Sequence, residues 1–138
     1  MWLHHIFSGG ICVPVWWNSK KIKRVVRSTL AAETLETIEG VDMALYISTL
    51  ITEMLTIQQI PIVCITVCQS LCDAVKSNRH VSEERLRMEL SGLKELLINK
   101  QITGLQWCET KKQLADCLTK TSNFSLMKTL TQGFLDYI

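Results

Sequence analysis

The sequence is poor in chain breakers, with two prolines and six glycines in 138 residues. Collagen-like and linker-dominated chains are thereby excluded. Charge is also modest, at 20% of residues against 47% hydrophobic, which excludes wholesale disorder. No stretch approaches the 18 or so uninterrupted apolar residues of a membrane helix. The best candidate, Ala44 to Ile57, is broken by Ser48, Thr49, Thr52 and Glu53. No basic n-region precedes an apolar run at Met1-Trp2-Leu3-His4-His5, so a secretory signal is not expected. The expected compartment is cytoplasmic or nuclear, not secreted. The six cysteines are then free thiols, and none forms a C-x-x-C pair. No acidic residue precedes Glu33.

What is present suits one domain over 1–138, long enough for a sizeable core. Ile11 to Trp17 reads as a strand, with Pro14 marking an edge or a bulge. A short strand over Leu3 to Phe7, turned by Gly9-Gly10, completes a hairpin. Five of the next eight residues from Lys20 are basic: Lys20, Lys21, Lys23, Arg24 and Arg27. They read as a solvated loop, a nuclear address or a phosphate-contacting patch. The net charge of +2 gives little further support to tight nucleic-acid binding.

From Thr29 to about Ile57 the pattern is helical. Leu35, Ile38, Val41 and Leu45 recur at three- and four-residue spacing, and Leu55 extends the face. Ser28 or Thr29 can cap this helix, and Glu33 is expected in its first turn. Beyond Pro61, the β-branched run Ile60 to Ile65 predicts a strand buried on both faces. Further helices are expected at Ser70 to Lys76 and at Ser82 to Asn99. The latter carries Leu86, Leu90, Leu93 and Leu97, with a Glu83–Arg87 pair. A strand over Ile102 to Cys108 follows. Thr110 to Gln113 then matches a capping box ahead of a last helix with Leu114, Ala115 and Leu118. The segment from Ser125 to Ile138 can hold a short helix, broken at Gly133. This alternation predicts α/β with a mixed sheet.

Cys64, Cys68 and Cys72 recur every four residues, but Cys64 falls in the strand, so no three-thiol helical face is expected. His4, His5 and His80 have no metal-type spacing and read as surface or boundary residues. Trp16, Trp17 and Trp107 flank strands and read as core or core-edge aromatics.

Three ordered segments carry more than pattern. The first runs from Trp17-Asn18-Ser19-Lys20 to Ser28-Thr29-Leu30-Ala31-Ala32-Glu33. The second is Thr66-Val67-Cys68-Gln69-Ser70, followed by Arg85-Leu86. The third is Leu105-Gln106-Trp107 with Thr110-Lys111-Lys112-Gln113-Leu114-Ala115-Asp116-Cys117-Leu118-Thr119-Lys120. Together, over residues 11–121, they resemble the ribonuclease H domain that ends the Pol polyprotein of copia-type retrotransposons. Residues 122–138 form a tail beyond the match. The resemblance implies a ribonuclease H-like mixed sheet flanked by helices, with the first strand missing. It also implies an RNA–DNA hybrid as substrate, two Mg²⁺ ions as cofactor, and a reverse transcriptase domain as ancestral partner.

Hydrolysis at phosphorus in such enzymes relies on two metal ions about 4 Å apart that hold the attacking and leaving oxygens. Mg²⁺ demands oxygen ligands, so carboxylates must converge from several elements. By resemblance, Glu33 takes the place of the helix carboxylate and Asp116 that of the last-helix aspartate. Val67 stands where the family's strand motif, T-D-N-x-S, has its metal-bridging aspartate, and Cys68 stands for the usual asparagine. The first-strand aspartate has no counterpart. Asp73 lies too far into the next helix to substitute. The expectation is a catalytically inactive, N-terminally truncated domain, with Glu33 and Asp116 as remnant metal ligands. The alternative expectation is a domesticated nucleic-acid- or protein-binding module.

Overall fold

The structure is a computed structural model that describes residues 2–8, 11–20, 22, 23, 25–77, 80–118, 125, 127 and 128. The chain divides into two compact units, residues 1–21 with 108–138, and residues 22–107. The class is α/β, with three long or medium α-helices, and described residues Ser125, Met127 and Lys128 are also helical. Antiparallel and parallel pairing both occur, but in two separate two-stranded sheets where one mixed sheet was expected. No strand forms in the described residues between Asn18 and Thr29.

The first unit is built on the expected hairpin. Strands β1 (Trp2–Ser8) and β2 (Ile11–Asn18) run antiparallel. Their register slips between His4, opposite Trp16, and His5, opposite Pro14. Val15 is the extra residue of this bulge, which accommodates the N–H that Pro14 lacks. The tryptophan expectation needs correction here, since Trp16 and Trp17 are 43% and 61% exposed. A two-stranded ribbon has too little cover to bury both of its faces. The anticipated last α-helix is also absent from the described residues. Two 3-10 turns, Thr110–Lys112 and Leu114–Leu118, replace it. Glu109, not Thr110, holds the cap position of the first, without a side-chain bond. Leu114, Ala115 and Cys117 are buried, and their turn lies against β1. The Gly9-Gly10 turn, Gly133 and the rest of 129–138 lie outside the described residues.

In the second unit, α1 (Thr29–Leu55) starts where Ser28 Oγ accepts the Ala31 N–H at 3.1 Å. Its buried seam is Ala31, Thr34, Val41 and Ser48 rather than a wholly apolar stripe. The two buried hydroxyls find carbonyls, Thr34 Oγ1 at Leu30 O (2.7 Å) and Ser48 Oγ at Ile60 O (3.4 Å). Leu55, expected on the inner face, is 63% exposed because the helix runs past the core.

The helix stops at Thr56, which takes a left-handed conformation (φ 53°, ψ 42°) while its N–H bonds Thr52 O. A β-branched residue is strained there, and glycine is the usual choice at this position. Thr56→Gly is expected to raise unfolding stability by roughly 1 kcal/mol. Chemical denaturation would read this as a higher midpoint at unchanged slope, and a lower midpoint would refute the strain.

Parallel strands β3 (Val63–Thr66) and β4 (Gly104–Trp107) are joined through α2 (Gln69–Lys76) and α3 (Glu84–Ile98). β3 is not buried on both faces as its composition suggests, because Val63 is 45% exposed. With only one neighbouring strand and four residues, the pair cannot be enclosed. Leu86, Leu90 and Leu93 of α3 are buried with Val41 of α1 and Leu71 and Val75 of α2. Lys94 Nζ donates to Ser77 O at 2.7 Å, placing a cation at the carboxyl end of α2. The Arg87 guanidinium lies 3.0 Å from exposed His80 Nε2 rather than pairing with Glu83, whose carbonyl accepts the Arg87 N–H.

Candidate metal and nucleic-acid site

The carboxyl ends of parallel strands are where α/β folds present functional groups. Here β3 ends in a tight local turn. Buried Thr66 turns its Oγ1 toward the Cys68 N–H at 3.1 Å, which starts α2. Between them, Val67 offers its carbonyl to the indole Nε1 of Trp107 at 3.1 Å. One hydrogen bond thus ties the end of β3 to the end of β4, and joins the second sequence motif to the third. Trp107 is 48% exposed, so its role is this bond at the strand ends rather than core filling. Sequence reading missed the bond, because nothing in the spacing of two motifs 40 residues apart shows which polar atom meets which.

At Val67 the side chain contains only carbon, so it supplies no oxygen to a hard cation. Asp73 does not replace it, being exposed on α2 with Oδ1 accepting from Gln69 Nε2 at 3.0 Å. Glu33 lies one place beyond the first turn of α1, which contains no acid, so the expected first-turn role is corrected. Glu33 is half-buried there. Asp116 sits half-buried in the Leu114–Leu118 turn, where its N–H donates to Gln113 O at 3.1 Å. Glu33 belongs to the second unit and Asp116 to the first. Among the described residues no group of three or more His, Cys, Asp or Glu side chains is gathered as a metal cage would need. At the position where the resemblance places a bridging aspartate, Val67 gives Mg²⁺ no side-chain oxygen.

The cysteines follow their burial. Cys64 lies in β3, Cys68 at the start of α2 and Cys72 within it, so the three do not share one helical face. Burial pushes the Cys64 thiol up to about 11. Burial also raises Cys72, against the attraction of Lys76, and raises Cys117, whose Sγ donates to Leu114 O at 2.9 Å. These three are protonated at neutral pH and are poor nucleophiles.

Lys20, Lys23 and Arg27 are exposed, while Lys21 and Arg24 lie outside the described residues. Lys20 belongs to the first unit, and Lys23 and Arg27 to the second. Val25 among them is 93% exposed, whereas Val26 packs against the core. Among the described residues no helix is long and apolar enough to cross a membrane. Comparison with known protein families, curated proteins and solved structures gives no match to this chain.

Proposed function

We propose that the chain is a ribonuclease H-like domain of copia-type retrotransposon descent that no longer hydrolyses RNA–DNA hybrids. Val67 at the carboxyl end of β3 carries this reading. It stands at a strand end beside the Trp107 contact, in the place the family gives to a metal-bridging aspartate, and its side chain has no oxygen to offer. The order of a hairpin, a long helix, a strand, two helices and a strand supports the descent. So do the three motifs that fall along it. Glu33 and Asp116 are remnant carboxylates in this reading, and Mg²⁺ binding is lost with the bridging ligand. The exposed side chains of Lys20, Lys23 and Arg27 favour a second reading, a retained module that contacts phosphates without cutting them.

One experiment separates these outcomes. Mg²⁺ and Mn²⁺ are titrated into the purified chain by calorimetry, beside a binding and cleavage assay on a labelled RNA–DNA hybrid. The expected result is no saturable metal binding and no cleavage. Salt-sensitive binding to the hybrid, weakened by Lys23→Ala and Arg27→Ala, would select the phosphate-binding module. Metal-dependent cleavage abolished by Asp116→Asn would overturn the loss of activity.

A further inference from the structure

Helix α1 carries Glu33, Glu36, Glu39, Asp42 and Glu53, and not one Lys, Arg or His along its 27 residues. Such one-sided charge is unhelpful to an isolated helix, because neighbouring like charges repel. Its outward face combines that acidity with large apolar side chains. Tyr46, Leu50 and Met54 are 60%, 38% and 79% exposed, and they recur every four residues on successive turns. Exposed Glu39 and Asp42 flank this ridge at one end, and exposed Glu53 lies within it at the other. From Glu39 to Met54 the face runs for about 22 Å at the helical rise per residue. Ile57, at 45% exposure, adds apolar surface just past the helix end.

A ridge of side chains four residues apart is the shape that the groove of a second helix accepts. Apolar anchors one turn apart are likewise the spacing by which amphipathic helices recognise a partner. The charge selects among occupants. A second copy presenting the same face would bring more acids and no cation to it, since α1 holds five acids and no base, so carboxylates would meet without a counter-charge. That arrangement is penalised. Nucleic acid is repelled by the same acids. Basic side chains flanking an apolar stripe satisfy both features at once.

We propose that the outward face of α1, centred on Tyr46, Leu50 and Met54 and bordered by Glu39, Asp42 and Glu53, docks a cationic amphipathic helix of another protein. The inference rests on charge and exposure within α1 alone, and is independent of the hydrolytic history of the domain. Association is steered by the acids and held by the apolar ridge. Salt therefore weakens it, while loss of the ridge weakens it at any salt.

The test uses the full chain and a fluorescein-labelled peptide of about 18 residues, five helical turns, with Leu on one face and Lys on the other. A scrambled peptide of the same composition serves as control, and binding is read by fluorescence anisotropy. The patterned peptide is expected to bind at least about tenfold more tightly than the scrambled one. The double variant Tyr46→Ser/Met54→Ser and the charge variant Asp42→Lys/Glu53→Lys should each weaken it by about tenfold or more. All four positions are on the exposed face, so circular dichroism should show the fold retained. Met88→Ser, at a 70% exposed site on α3, should leave binding unchanged. Equal affinity for the scrambled peptide, or unchanged binding in the two double variants, would overturn the proposal. So would concentration-dependent self-association abolished by Leu50→Glu, which would assign the face to a second copy.

Discussion

Leu93→Ala is expected to cost about 2–5 kcal/mol of unfolding stability, the range for removing a large aliphatic side chain from a core that cannot collapse around the gap. Leu93 is 1% exposed and lies in the middle of α3, on the face that also holds Leu86 and Leu90. It is buried with Val41 of α1 and Leu71 of α2, so one truncation loosens three helices together. Domains of this size hold about 5–15 kcal/mol in all, so the variant should lose a large share of its folded margin. Met88→Ala is the control on the same helix. At 70% exposure it should change stability by no more than about 0.5 kcal/mol. Urea denaturation followed by far-UV circular dichroism, dominated by α1 and α3, measures both. Equal midpoints for the two variants would mean that the leucine face of α3 is not the centre of the core.

Cys64 should be about a hundredfold less reactive toward iodoacetamide at pH 8 than an ordinary thiol. Burial in β3 lifts its pKa from 9.0 to about 11, and only the thiolate attacks. Its alkylation rate should climb about tenfold per pH unit until the pH nears that value. Peptide mass spectrometry of partly alkylated protein, with glutathione as reference thiol, reads the ratio directly. The same shift makes stability pH-dependent. The folded state holds the proton more tightly than the unfolded state. The contribution of Cys64 is therefore complete below about pH 9 and is lost as pH rises toward 11, a fall of roughly 3 kcal/mol. Cys72 and Cys117 shift in the same direction and add to the decline. Cys64→Ala should make the alkaline slope shallower without abolishing it. Labelling of Cys64 at the glutathione rate at pH 8 would show the thiol to be open to water.

Local chemistry was legible where it acts over a few residues. Ser28 can cap α1 because its hydroxyl needs only to reach an amide three residues on, and it does so at 3.1 Å. Pro14 marks the bulge in the hairpin, and the leucines of α3 mark its buried face, since both follow from chain geometry. The placement of Cys64 in a strand likewise followed from its β-branched neighbours. Val67 is as much an amino-acid fact as a structural one, because no fold gives a valine side chain an oxygen.

Other features waited on distant parts of the chain. Nothing near Trp107 in sequence specifies that its indole meets the carbonyl of Val67, 40 residues earlier, and no hydropathy pattern separates a tryptophan that bonds from one that fills a core. The capping-box residues Thr110 to Gln113 satisfy a local rule, yet the described chain winds into 3-10 turns, because local capping is worth little against tertiary packing of Leu114, Ala115 and Cys117. Thr34 and Ser48 lie in the buried seam of α1 while Tyr46, Leu50 and Met54 face water. The sequence by itself determined the class, the positions of α1, α2, α3 and the strands to within a few residues, and the lack of a side-chain oxygen at Val67. Only the tertiary structure decided which faces are covered and how the strands pair, because burial depends on neighbours brought in from far along the chain.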